Sequence, residues 1–243
     1  MKKPLLIISA FMLIALASCV KNAVQTTTPV TTADVASIVG GSLSANSGGF
    51  STMTSDVAVK AQTTGCGTVK TDSVTHQSVT GATTTFNYKY KMVNTLNCNT
   101  NNQPDNITSA LTFSGNFNGP YVAITASGSS NFTFAGLTPQ ATVYSYNGEF
   151  KSTATYKLKR DTLNTGTINI DLVVKGLIIT KSSVTTPSGI TAGSATATIT
   201  GTSKNGALNF TGTLTYNGNG TATLVLTGAT YLIDLTTGVA TKQ

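Results

Sequence analysis

The chain has 243 residues and a formal net charge of +7, yet only 9% of its residues are charged, far below the ~25% of ordinary globular proteins. Its basic residues are scattered, with Lys157, Lys159 and Arg160 the one tight group. That excludes the dense basic face, interleaved with aromatics, of a nucleic-acid binder.

Thr, Ser, Asn and Gly fill most polar positions. Thr suits strands, and Gly and Asn suit turns. The composition therefore points to an all-β exported protein.

The chain opens on Lys2 and Lys3, followed by an apolar stretch over residues 5–16. That stretch is shorter than the ~20 residues a membrane-spanning helix needs and has the proportions of a signal-peptide core. It ends in Leu16-Ala17-Ser18-Cys19, which resembles the bacterial lipobox. The resemblance implies that residues 1–18 are a cleaved signal, that Cys19 receives a thioether-linked diacylglycerol, and that its new amine is acylated. Val20 stands where an aspartate signals inner-membrane retention, which implies an outer-membrane location. The Thr/Asn/Gly-rich layout with Asn-Gly hairpins is also similar in style to envelope lipoproteins of Bacteroidetes-type bacteria. The mature chain would hold thirteen basic and eight acidic groups, a net charge of +5.

Residues 19–32 read as a lipidated, Thr-rich tether with too little apolar surface to fold. Residues 33–243 read as one β domain. Val35, Ile38, Val39 and Leu43 form a helical apolar stripe, with Thr31 or Thr32 as its cap, Gly40-Gly41 weakening it and Gly48-Gly49 ending it. It predicts one short helix covering an open end of a β structure.

From about residue 50 the period is two. Phe86, Tyr88 and Tyr90 share a face, as do Leu111, Phe113, Gly115 and Phe117. Phe132 pairs with Phe134 in the same way. Ile168, Ile170, Leu172 and Val174 form another face, and Leu208, Phe210, Gly212, Leu214 and Tyr216 a fifth. Such alternation marks antiparallel strands with one buried face. Asn-Gly pairs at 147–148, 205–206 and 217–220 read as hairpin turns. The result is an antiparallel meander forming a β-sandwich or open barrel. Residues 111–117 echo residues 208–214, so 33–160 and 161–243 are candidate related sheets.

Cys66 and Cys98 are the two cysteines left after lipidation. In an oxidising compartment they read as a disulfide, which contributes ~3–4 kcal/mol in the chain-entropy model. His76 is the only histidine, and no Gly-x-Ser-x-Gly elbow or phosphate loop occurs. Glu149 is the one glutamate, beside the expected 147–148 turn. Asp161 and Asp171 carry no local sign of acting as a carboxylate pair. The oxygen-rich loop 97–105 lacks calcium-site spacing. No catalytic residue, metal or cofactor is expected. Lys157–Arg160 reads as a solvated strand end, with anionic lipid headgroups or acidic polysaccharide as the sharper alternative.

The sequence thus describes a lipid-anchored, non-catalytic envelope protein, structural or adhesive, whose partners are the membrane and an envelope protein or glycan. The alternative is a binding module for a small apolar or glycan ligand. A continuous cavity would favour the module; a filled core would favour the structural role.

Overall fold

In the computed structural model, residues 28–45, 49–61, 65–138, 140–181 and 187–243 are described. Their strands are β1 (Val69–Gln77), β2 (Thr85–Cys98), β3 (Pro104–Asn118), β4 (Val122–Ala135), β5 (Val143–Leu158), β6 (Thr165–Lys181), β7 (Pro187–Ser203), β8 (Gly206–Gly218), β9 (Thr221–Leu226), β10 (Ala229–Asp234) and β11 (Ala240–Lys242). All are antiparallel and belong to one sheet in chain order. The meander is as expected, but it is a single open sheet and not a sandwich. The two candidate halves are continuous: β5 pairs with β6 across the expected boundary, with Thr155 opposite Thr167.

One face of the sheet is apolar and the other is mainly Thr, Ser and Asn, with some Lys and Val among them. Tyr88, Tyr90 and Met92 point inward, as do Ile168, Ile170, Leu172 and Val174. Leu208, Leu214 and Tyr216 do so too, while Thr211, Thr213 and Thr215 face out. Cross-strand hydroxyl pairs knit the outer face, such as Thr167 with Thr202 at 2.9 Å.

The inner face is covered by two helices, α1 (Thr32–Leu43) and α2 (Phe50–Ala61). The sequence predicts one helix, with strands from near residue 50, so α2 is a correction. Phe50, Met53, Val57 and Ala58 are its buried stripe, at helical and not strand spacing. The second correction is where α1 lies. It touches β4 as well as β10 and β11. Elements that far apart in the sheet order meet one helix only if the sheet curls around it, so α1 is core and not a lid. Gly40 and Gly41, expected to weaken the helix, permit this. A Cβ on Gly40 would stand 2.3 Å from the Gly238 carbonyl oxygen, and one on Gly41 would stand 2.8 Å from the Phe117 ring.

Asn205-Gly206 and the 217–220 segment turn as expected, with Gly218, Asn219 and Gly220 all at positive φ. Asn147-Gly148 does not turn. β5 runs through it with a bulge between Tyr146 and Gly148. Phe132 stacks on Tyr146 at 4.7 Å, and a Cβ on Gly148 would meet the Phe132 Cβ at 2.5 Å. The glycine is there because the Asn131 carbonyl and the Phe132 Cα and Cβ of β4 leave no room for a side chain. The Asn147 side chain is occupied by the Gly176 N–H, at 2.8 Å. Glu149 is therefore a mid-strand residue, paired with Lys151 at 2.7 Å.

Phe50 joins the layers. Its ring stands edge-on to Tyr146 at 5.3 Å and to Phe150 at 5.5 Å. Phe50→Ala should lower unfolding free energy by about 3–5 kcal/mol, read from urea melts, while the strand signal in far-ultraviolet circular dichroism persists below the transition.

Candidate functional site

Cys19 lies outside the described residues, so the site to consider first is where the described chain begins. Thr28 to Thr31, expected from sequence to be flexible tether, are held by the β5–β6 and β7–β8 turns. The Thr28 N–H and hydroxyl both donate to Asp161 Oδ2, at 3.1 and 2.9 Å. The Thr28 carbonyl accepts from Asn164 Nδ2 at 2.6 Å and Asn205 Nδ2 at 3.0 Å. Arg160 donates to the Thr28 hydroxyl at 2.8 Å and to the Pro29 carbonyl at 3.1 Å.

Arg160 also grips α1. Its Nε and Nη2 donate to the two oxygens of Asp34, at 2.8 and 2.5 Å. This is the bidentate geometry that makes arginine–carboxylate pairs strong. Asp34 is itself the third residue of a capping box whose cap is Thr31. Burial pushes the Asp34 carboxyl up, but the Arg160 bond, then the Thr31 bonds and the guanidinium charge, outweigh burial and hold it below the ordinary range. The sequence hid this clamp because its parts are 126 residues apart.

The lone histidine also has a partner that no sequence signal announces. His76 Nε2 meets Asp56 Oδ2 of α2 at 2.7 Å, and the Tyr90 ring lies 5.9 Å from the imidazole. A histidine beside a carboxylate and a hydroxyl is the pattern of acid–base machinery. Here its surroundings are those of a sheet edge. β1 pairs only with β2 among the described strands, and its inward positions are Lys70, Asp72, Val74 and His76. Inward-pointing charge on an outer strand is a device against edge-to-edge pairing. Burial raises the Asp56 carboxyl against the opposing pull of His76 and Lys60.

Cys66 and Cys98 form the expected disulfide, with Cα atoms 5.7 Å apart. It ties the approach to β1 onto the end of β2. In the following loop, Asn99 Oδ1 accepts from the Asn101 and Gln103 N–H groups at 3.0 Å each, so that oxygen braces the turn. Among the described residues, His, Cys, Asp and Glu nowhere gather in threes. Asp161 sits in the clamp, whereas Asp171 faces Lys151 at 4.0 Å from mid-β6; the two do not meet.

A cleft of about 510 Å³ opens at the opposite end of the sheet, among Ser55, Ile190, Asn219, Leu235 and Thr236. It carries no titratable side chain. No family model, curated protein or solved structure matches the chain.

The clamp sets an acid dependence. Asp34, with its carboxyl lowered in the fold, contributes stability that is fully present above the ordinary carboxylate value of about 3.9 and is lost as pH falls through the lowered one. Asp56 has the opposite sign, because its raised carboxyl favours the fold below the ordinary value and ceases to do so as pH rises through the raised one. Asp34→Asn should therefore destabilise at pH 7 by about 1–3 kcal/mol, with the gap to wild type narrowing toward pH 3. Thermal melts across that range measure it.

Proposed function

We propose that the chain is a lipid-anchored, non-catalytic structural protein of the cell envelope, attached to the outer membrane through Cys19. The observation that carries this reading is the filled interior. Helices α1 and α2 occupy the curled sheet, and Val35, Ile38, Leu43, Phe50 and Val57 are all 0% exposed. The chain supplies its own occupant where a binding barrel keeps its ligand space. Contact with other envelope molecules then falls to the outer face, a polar array of Thr, Ser and Asn with a few charged side chains such as Lys89, Lys91 and Lys151. The Asp56–His76 pair supports an edge-guarding role, since the strand that carries it also carries Lys70 and Asp72.

The cleft at the far end favours a second reading, a binding module for a small glycan or apolar ligand. Its volume falls in the ligand-pocket range of ~300–1,000 Å³.

The anchoring test is chemical. The N-terminal peptide of the membrane-bound protein should begin at Cys19 and carry the mass of a diacylglyceryl group and an amide-linked acyl chain. Cys19→Ser should abolish both the modification and the membrane fractionation. An unmodified peptide starting upstream of residue 19 in the membrane fraction would refute the reading.

A further inference from the structure

The turns alternate between the two ends of the sheet, and the ends differ in charge. The β3–β4, β5–β6 and β7–β8 turns share the end that grips Thr28. There Lys157, Lys159, Arg160, Lys204 and Lys242 stand exposed in turns or at the tips of strands. The carboxylates among them are Asp161, which holds Thr28, and Asp34, which is occupied by Arg160. At the opposite end, Lys70 and Lys181 are offset by Asp72, Asp105 and Asp234. The basic end also displays Tyr121, 54% exposed, and Val79, 78% exposed. Tyr121 is joined to the lysine turn through its carbonyl, which accepts from the Lys159 N–H at 2.8 Å.

We propose that this turn end docks on a lipid surface rich in anionic headgroups, with the lysines at the phosphates and Tyr121 at headgroup depth. The proposal rests on lipid attachment at Cys19. Cys19 is nine residues before Thr28, and nine residues span at most ~30 Å. The clamp therefore keeps the basic end, and not the neutral one, within that reach of the bilayer. Each lysine near an anionic surface strengthens binding roughly five-fold, and tyrosine prefers the membrane–water interface. Acidic polysaccharide would satisfy the lysines but gives no role to the exposed ring, and it becomes an outcome of the test.

The protein has no tryptophan, so Tyr121→Trp makes a sole fluorescent reporter at this end and Thr236→Trp one at the other. The lipidated mature chain is reconstituted into vesicles of phosphatidylcholine, alone or mixed with phosphatidylglycerol. Tyr121→Trp should shift to the blue and be quenched by brominated acyl chains only in the mixed vesicles, and added salt should reverse both effects. Thr236→Trp should be unaffected. Adding Lys157→Gln, Lys159→Gln and Lys204→Gln to Tyr121→Trp should weaken docking on the order of 100-fold and return the spectrum to that in phosphatidylcholine.

Anchoring is read separately, by flotation with the neutral vesicles. A chain that floats but shows no phosphatidylglycerol-dependent shift overturns the docking alone. Equal shifts at both ends, or a shift produced by soluble acidic polysaccharide and not by vesicles, also overturn it. A chain that does not float with neutral vesicles defeats the anchoring reading. Added from solution to mixed vesicles, that chain still supports docking if the emission of the Tyr121→Trp variant shifts and overturns it if the emission does not.

Discussion

A single sheet with one apolar face has no second sheet to bury it against, and most of the molecule follows from that constraint. Fully burying a Leu or Phe contributes ~1.5–3 kcal/mol, so a face carrying Tyr88, Tyr90, Leu111, Phe113, Ile168 and Leu172 cannot be left wet. The sheet curls, and the N-terminal segment is folded into the curl. This explains why α1 has almost no polar face: nine of its residues are buried, including Asp34 and Ser42. It explains its paired glycines, which let a helix approach the β10–β11 turn and the Phe117 ring closely. The two buried polar side chains of α1 both have partners. The Ser42 hydroxyl donates to the Ile38 carbonyl at 3.1 Å, and Asp34 takes Arg160.

Most of the strands and two of the three expected Asn-Gly turns were legible in the sequence, because a period of two and an Asn-Gly pair are local signals; β1 and β11 were not. What was not legible depended on contacts between distant residues. Asn147-Gly148 has the chemistry of a hairpin, but the same glycine also fits the crowded backbone of Asn131 and Phe132 in β4, and the cross-strand pairing decides. Phe50, Met53 and Val57 carried a helical signal that the surrounding threonines masked as strand. With α2 unrecognised, Asp56 had no reason to meet His76 twenty residues later. The Asp34–Arg160 clamp joins the first helix to the middle of the sheet, and no local pattern announces it. The disulfide was reached by elimination, as the one pairing left to two cysteines.

An open sheet also has two edges to protect. β11 is only three residues long, and a short edge offers little backbone to an incoming strand. β1 is nine residues long and needs another defence. Where the interior strands place aromatic or aliphatic side chains, β1 places Lys70, Asp72 and His76, with Lys70 and Asp72 3.7 Å apart. These polar side chains are half-buried at the sheet margin. A second chain added there would cover them further, at a desolvation cost. The Asp56–His76 bond ties α2 to this strand, so the edge is also held against peeling from β2.

The same architecture orders the assembly of the molecule. α1 is completed by elements near the other end of the chain: the Thr32 hydroxyl meets the Tyr231 hydroxyl at 2.7 Å, 199 residues away, and the Ala45 N–H donates to the Leu235 carbonyl at 2.7 Å. Contacts of such separation carry a large closure entropy and slow folding. The meander can zip strand by strand through its tight turns, since each strand pairs with the next, but α1 is fully enclosed only when it meets both β4 and the last strands. The disulfide lies at the β1–β2 end of the sheet and the Arg160 clamp at its middle. Each ties together residues that precede β10 and β11 in the chain. The clamp therefore does two things with one set of bonds. It seats α1 against the sheet, and it fixes the end of the sheet from which the chain leads back to Cys19.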